Sequence, residues 1–397
     1  MTASRRWLDG APSGQVRDAR IDFFRGLALI FIFIDHIPGN AFANVTLTNF
    51  GFADAAEIFV LLAGYAAFLA YRRALSQELS VGLVKIGSRI GELYVAHLIV
   101  LMVCVLGLAV AARLFHNPIY FEHLNLLPLS SNPVAATARA LVLVYQPGYL
   151  NILPLYILLL LWLPVLLWLM RLSVAVALLA SATLWAGSNL FAWNLPSYPD
   201  AYGWVFNPFA WQLLFSLGAA SANMFSKQAA SWLRASWLFW IALAYLLFAL
   251  VVAAPWTKLP GLQQARLLAD FRTDLSKQYL SAWRLAHILA LGHVAATLIS
   301  PRATWLTRIW ARPVINCGQH SLPIFCLSII LSLTGFVILQ EAGHGVLLLA
   351  AVNIVGVALL GLVAWELAQL KRRRSQATPQ DDAARWSPLN ARLRSSL

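Results

Sequence analysis

Four ionisable side chains, Asp22, Arg25, Asp35 and His36, lie in or beside an apolar run from Phe23 to Ile37. Drawn as a helix, Arg25 and His36 are eleven residues apart. That is about three turns, ~16 Å along the axis and within about 20° of one face. A guanidinium can hold an anion through charge-assisted hydrogen bonds. An imidazole can take up a proton or carry an acyl group. One hydrophobic helix therefore offers an anion anchor near its start and a reactive base near its end. Such groups inside a membrane cost about 2.5–3.5 kcal/mol each on insertion scales and by default mark function. The plainer alternative has Arg25 snorkelling to headgroups and His36 at the far interface. It leaves Asp22 and Asp35 without a purpose.

A reactive histidine needs a group that selects its tautomer and stabilises the imidazolium. Asp35 adjoins His36, but neighbours on a helix diverge by about 100°. Direct contact needs the helix to stop there, which Pro38-Gly39 can bring about. Glu57, in GFADAAEIFVLLAGY, is the other candidate. It could orient His36, pair with Arg25 or another buried cation, or do both. Lys277, Arg284 and His287 form a further set. Arg284 and His287, three apart, share a helix face and suit capture of a carboxylate or sugar at an outer mouth; interface cations are the alternative. His320, in CGQHS, could meet a phosphorylated ligand or serve as an interface residue. Glu92, His97, His293 and Glu366 are isolated and read as structural. No P-loop, GxSxG, HExxH or paired CxxC occurs, so an ATP-driven pump, a serine hydrolase and a zinc enzyme have no foundation. No metal site is expected. Cys104, Cys317 and Cys326 lie in apolar stretches and read as packing residues.

The elements that must position these groups are membrane helices. Of the 397 residues, 60% are hydrophobic and 11% charged, and the mean hydropathy is +0.71. That composition implies an all-α polytopic bundle in contact with lipid, and the 16 Trp suit interfacial belts. The formal charge of +13 sits mainly in the termini and short loops, so nucleic-acid binding is excluded. About ten spans are expected, near 22–38, 51–71, 92–112, 149–170, 172–191, 208–225, 237–254, 283–298, 316–339 and 346–370. Residues 1–20 and 371–397 then form basic cytoplasmic ends, the second disordered, around one membrane domain of residues 21–370. The first span is read as retained, because no small-residue cleavage site follows it. Arg72 to Arg89 reads as a basic inner loop. Residues 113–150 form a long outer stretch with a short helix from Pro133 to Tyr145, suited to a lid or re-entrant piece. The polar 255–281 loop falls outside by count, although its charge favours inside.

At these residues the chain resembles a known family. RGLALIFIFIDH has the Arg-x10-His spacing of the membrane acyltransferase-3 superfamily. RIDFFRGLALIFIFIDHIPGN, GFADAAEIFVLLAGY, ILPLYILLL, FNPFAWQLLFSLG, the Lys277–Arg284–His287 segment and CGQHSLPIFC resemble its OpgC branch, which succinylates osmoregulated periplasmic glucans. Ala63-Gly64-Tyr65 stands where Ser-Gly-Phe or Ser-Gly-Tyr is usual, so a hydroxyl-dependent role there is lost. The resemblance implies ten spans with both ends cytoplasmic, in a bacterial inner membrane. It implies an acyl-CoA donor, succinyl-CoA in this branch, arriving from the cytoplasm, and a glucan acceptor in the periplasm. Arg25 would anchor CoA with His320 beside it, and Asp35 and Glu57 would tune His36. Two other readings compete. In a transporter, Asp35, His36 and Glu57 would relay protons; an acyltransferase could also act on another glycan.

Overall fold

The computed structural model describes residues 18–200, 202–227, 235–253 and 275–394, with backbone alone at 225–227 and 374–394. The basic residues before Asp18, Arg234, and the charged part of the polar loop from Lys258 to Asp274 lie outside these described residues. Among them there are helices and no strand. In a bilayer each backbone polar group must find its partner internally, and a helix achieves that within one segment.

Helix α1 spans Ala19–Asp35, capped by Asp18, whose carboxylate accepts from the Arg20 N–H at 3.0 Å. Two 3-10 turns, Ala41–Val45 and Leu47–Asn49, lead to α2 (Ala55–Gln77). One residue, Glu78, separates α2 from α3 (Leu79–Phe115). Three short helices follow, α4 (Ile119–His123), α5 (Leu127–Ser131) and α6 (Pro133–Leu141). Then come α7 (Ile152–Leu172), α8 (Val174–Phe191), α9 (Pro208–Lys227), α10 (Ser236–Ala253) and α11 (Ala282–Leu298). The chain ends with α12 (Ala311–Gln319), α13 (Ser321–Ala342) and α14 (Val346–Arg394). Each expected span holds one long helix. Seven of them, α2, α3, α7, α8, α10, α13 and α14, are long and apolar enough to cross a membrane. Helices α1, α9 and α11 pack among these seven.

Three expectations are corrected. The inner loop from Arg72 to Arg89 is almost wholly helical, because α2 and α3 run on past their apolar parts. Hydropathy marks where lipid begins, not where a helix stops. The ninth span is broken at His320, which sits between α12 and α13 at φ −112°, ψ 42°. Pro323 explains the break: in a continuous helix its ring would clash with the carbonyl four residues earlier, at Gln319. Finally, α14 passes the basic cluster at Lys371 and stays helical to Arg394, where an irregular tail was expected.

The centre of the bundle is set by two glycine crossings. A Cβ on Gly26 would lie 1.9 Å from the Val314 carbonyl oxygen, and one on Gly318 would lie 1.8 Å from that of Asp22. A Cβ on Gly64 would lie 2.0 Å from the Phe215 oxygen, and one on Gly218 the same distance from that of Leu61. Helices α1 and α12, and α2 and α9, therefore meet backbone to backbone, as small residues permit in membranes. Gly318→Ala is expected to destabilise by about 1–3 kcal/mol through overpacking, read as a lower thermal midpoint in detergent. An unchanged midpoint would disprove the close crossing.

Candidate active site

Helix α1 stops at Asp35 because Pro38 fixes its own φ and pushes the preceding residue out of the helical region; Gly39 then turns the chain at φ +73°. His36 becomes the C-cap, half-buried. Its Nδ1 lies 2.6 Å from the Ile32 carbonyl oxygen, one turn back. A carbonyl only accepts, so Nδ1 carries the ring proton and Nε2 keeps the lone pair. The orienting group is thus the helix's own backbone. Asp35 turns away from the ring: it accepts from the Thr46 hydroxyl at 2.5 Å and the Thr48 hydroxyl at 2.9 Å. Tyr149 stands edge-on to the His36 ring at 4.4 Å between centroids. Its hydroxyl shares a 2.7 Å hydrogen bond with His123 Nε2. Burial pushes the Tyr149 phenol up to about 12 and lowers the His123 imidazole, so both stay neutral at ordinary pH.

Beside this end of α1 is a four-charge cluster. Asp54 caps α2, and its carboxylate and the Glu57 side chain form a capping box. Arg284 of α11 donates from Nε to Glu57 at 2.7 Å and from Nη2 to Asp54 at 3.0 Å. Lys277 Nζ reaches the same Asp54 oxygen at 2.7 Å and lies 5.3 Å from the centre of the Phe206 ring. Glu57 is fully buried and the Arg284 side chain 12% exposed, whereas Lys277 is 39% exposed. Burial would raise the Asp54 carboxyl, but Lys277 and Arg284 outweigh it and hold the group well below the usual carboxylate range. The charges of Lys277 and Asp54 also reach Asp35 and His36. His287 is buried at 2% exposure beneath Gly51, where a Cβ would come within 2.0 Å of its Nε2.

At the other end of α1, Arg25 Nη2 donates to the Ser321 hydroxyl at 2.6 Å, and the guanidinium carbon lies 5.8 Å from the Phe59 ring centre. The α12–α13 break puts His320 next to that serine. Gln319 Nε2 reaches buried Asp22 at 3.3 Å.

A family model described as "OpgC protein" matches residues 17–372. The chain belongs to the OpgC family. No curated protein and no solved structure matches it. Membership implies a membrane acyltransferase with a role in succinylating osmoregulated periplasmic glucans. The matched stretch contains all the residues described above. Within this OpgC protein, Arg25 bonds Ser321, the residue after His320, Arg284 joins Glu57 to Asp54, and Lys277 joins the cluster through Asp54; His287 sits under Gly51 instead. Glu57 pairs with a buried cation, Arg284 and not Arg25, and makes no hydrogen bond to His36 among the described residues. The described residues give His36 no carboxylate hydrogen bond at all, and no hydrogen-bonded relay joins Asp35, His36 and Glu57. Sequence reasoning missed Ile32, Tyr149, His123, Thr46 and Thr48. Only Tyr149 left a trace, as the residue after Gly148 at the end of the long outer stretch; its φ is +70°.

Proposed function

We propose that this OpgC protein moves a succinyl group from cytoplasmic succinyl-CoA to a hydroxyl of a periplasmic glucan, in a bacterial inner membrane crossed ten times with both termini inside. The observation that carries the reading is His36: a ring with Nδ1 held by the Ile32 carbonyl and Nε2 left over, three turns from the Arg25 guanidinium. In direct transfer, Nε2 takes the proton of the glucan hydroxyl as its oxygen bonds to the thioester carbonyl carbon. The carbon–sulfur bond then breaks, and the proton passes to the departing thiolate. In the two-step variant the Nε2 lone pair bonds to the carbonyl carbon as the carbon–sulfur bond breaks and CoA leaves as thiolate; the glucan hydroxyl oxygen then bonds to that carbon as neutral imidazole leaves, and the hydroxyl proton passes to the thiolate.

Arg25, with Ser321 and His320 beside it, anchors the phosphates of CoA. The ~16 Å from Arg25 to His36 is comparable to an extended pantetheine arm. Asp35 tunes the site through Thr46 and Thr48, and Glu57 by fixing Arg284. Lys277, the most exposed member of the cluster, is placed to meet the free carboxylate of the acyl group. The family range extends over most of the chain, and that favours this reading over a transporter.

The test is mass spectrometry of periplasmic glucans from a strain lacking the protein, with and without the wild-type chain restored. A succinyl mass increment lost with the protein and regained with it supports the proposal. Glucans of unchanged mass would send the assignment to another acceptor.

A further inference from the structure

A cavity of about 210 Å³ opens beside the four-charge cluster, walled by Thr48, Asn49, Phe52, Asp54, Val252 and Arg284, among others. We infer that this cavity is the acceptor subsite and seats one neutral sugar residue of the glucan, the inference resting on the transfer reaction proposed above. Its size, polar groups and charge all bear on the choice. Pockets for drug-sized ligands run to roughly 300–1,000 Å³, so this one holds a single ring, with the rest of a chain outside.

The walls supply both donors and acceptors, as vicinal hydroxyls require. Arg284 uses Nε and Nη2 on the two carboxylates, and its Nη1 makes no hydrogen bond among the described residues. Asn49 donates from Nδ2 to the Ala43 carbonyl at 2.7 Å, which leaves its Oδ1 as an acceptor. Thr48 lines the cavity and also donates to Asp35 at 2.9 Å, so the cavity shares a wall with the neighbour of His36. Through Thr48 the cavity is one side chain removed from Asp35 at the end of α1.

Charge decides the ligand class. Asp54 and Glu57 are balanced by Lys277 and Arg284, and the cavity-lining pair, Asp54 and Arg284, is bonded together. An anion entering the cavity would meet a guanidinium already committed to two carboxylates, with one of them facing it. A neutral polyol meets no such opposition. The cavity therefore takes the sugar, and the succinyl carboxylate is left to Lys277 on the open side.

The experiment measures glucan binding to the full-length protein in nanodiscs, in the His36→Ala background so that no transfer occurs. Unsubstituted periplasmic glucan is the probe. Val252→Trp fills the cavity from α10 and leaves the four charged residues of the cluster unsubstituted. It is expected to weaken glucan binding at least tenfold while succinyl-CoA affinity, read at the opposite end of α1, stays unchanged. Val252→Leu, a smaller filling that serves if the tryptophan variant does not fold, should weaken glucan binding to an intermediate extent with the same unchanged donor affinity. Glucan binding unaffected by both fillings would overturn the assignment, as would displacement of bound glucan by free succinate. Because binding is read without chemistry, these outcomes are separate from failure of the transfer reaction, which would show as glucans of unchanged mass in the strain lacking the protein.

Discussion

His36→Ala is expected to lower succinyl transfer to glucan by roughly 10²–10⁴-fold, the usual contribution of a positioned acid–base group. If Nε2 carries the acyl group covalently, transfer falls further, to background. The ring sits at the C-terminal end of α1, half-buried and held by one bond to the Ile32 carbonyl, so its removal leaves the helix crossings of Gly26 and Gly318 intact. The variant should insert normally and bind succinyl-CoA as the wild type does. Arg25→Ala should show the opposite pattern, with donor affinity weakened and any residual turnover at saturating donor less affected. Rapid acid quench of the wild-type reaction with donor alone distinguishes the two chemical routes: an acyl-histidine peptide containing His36 is expected only for the two-step variant. Wild-type rates in His36→Ala would remove His36 from the chemistry.

The parts of this site that are local in the chain were legible in the sequence, and the parts that depend on the fold were not. Arg25 and His36 share one helix, so spacing alone relates them. Arg284 and Glu57 are 227 residues apart; no periodicity links them, and Glu57 was consequently offered to His36 as well as to Arg25 or another buried cation. The group that orients His36 is a backbone carbonyl, which every residue possesses and no side-chain pattern can flag. Asp35 was expected to reach the ring if the helix ended there. The helix does end there, but the 3-10 turns that follow bring Thr46 and Thr48 to the carboxylate first. The break at His320 could have been read from Pro323. It was obscured because hydropathy does not register a lost backbone hydrogen bond, and the polar Gly318-Gln319-His320-Ser321 was taken as the opening of one continuous span. The same criterion hid the helical stretch from Arg72 to Arg89, which leaves the apolar zone without ceasing to be helix.

Arg284→Met is expected to cost about 3–5 kcal/mol of stability, the range for removing one partner of a buried ion pair. Glu57 is fully buried and Arg284 nearly so, and the guanidinium is the group that bonds both carboxylates at once. Without it, Glu57 is left as an uncompensated acid among apolar side chains, since Lys277 reaches Asp54 only. Lysine should rescue poorly, because a point charge on a flexible stem does not reproduce two directed N–H bonds to different acceptors. Adding Glu57→Gln to Arg284→Met should recover most of the loss, since the buried charge then vanishes from both sides. A role for Arg284 in gripping substrate gives a different result. In that case Arg284→Met would unfold like the wild type, its defect would appear in the KM for glucan, and Glu57→Gln would not repair it. Thermal unfolding of the four proteins, wild type, two singles and the double, measures the coupling directly. A coupling near zero would mean that the cluster is not the structural clamp between α2 and α11, and a large one would mean that the acceptor cavity is built on a wall that cannot move.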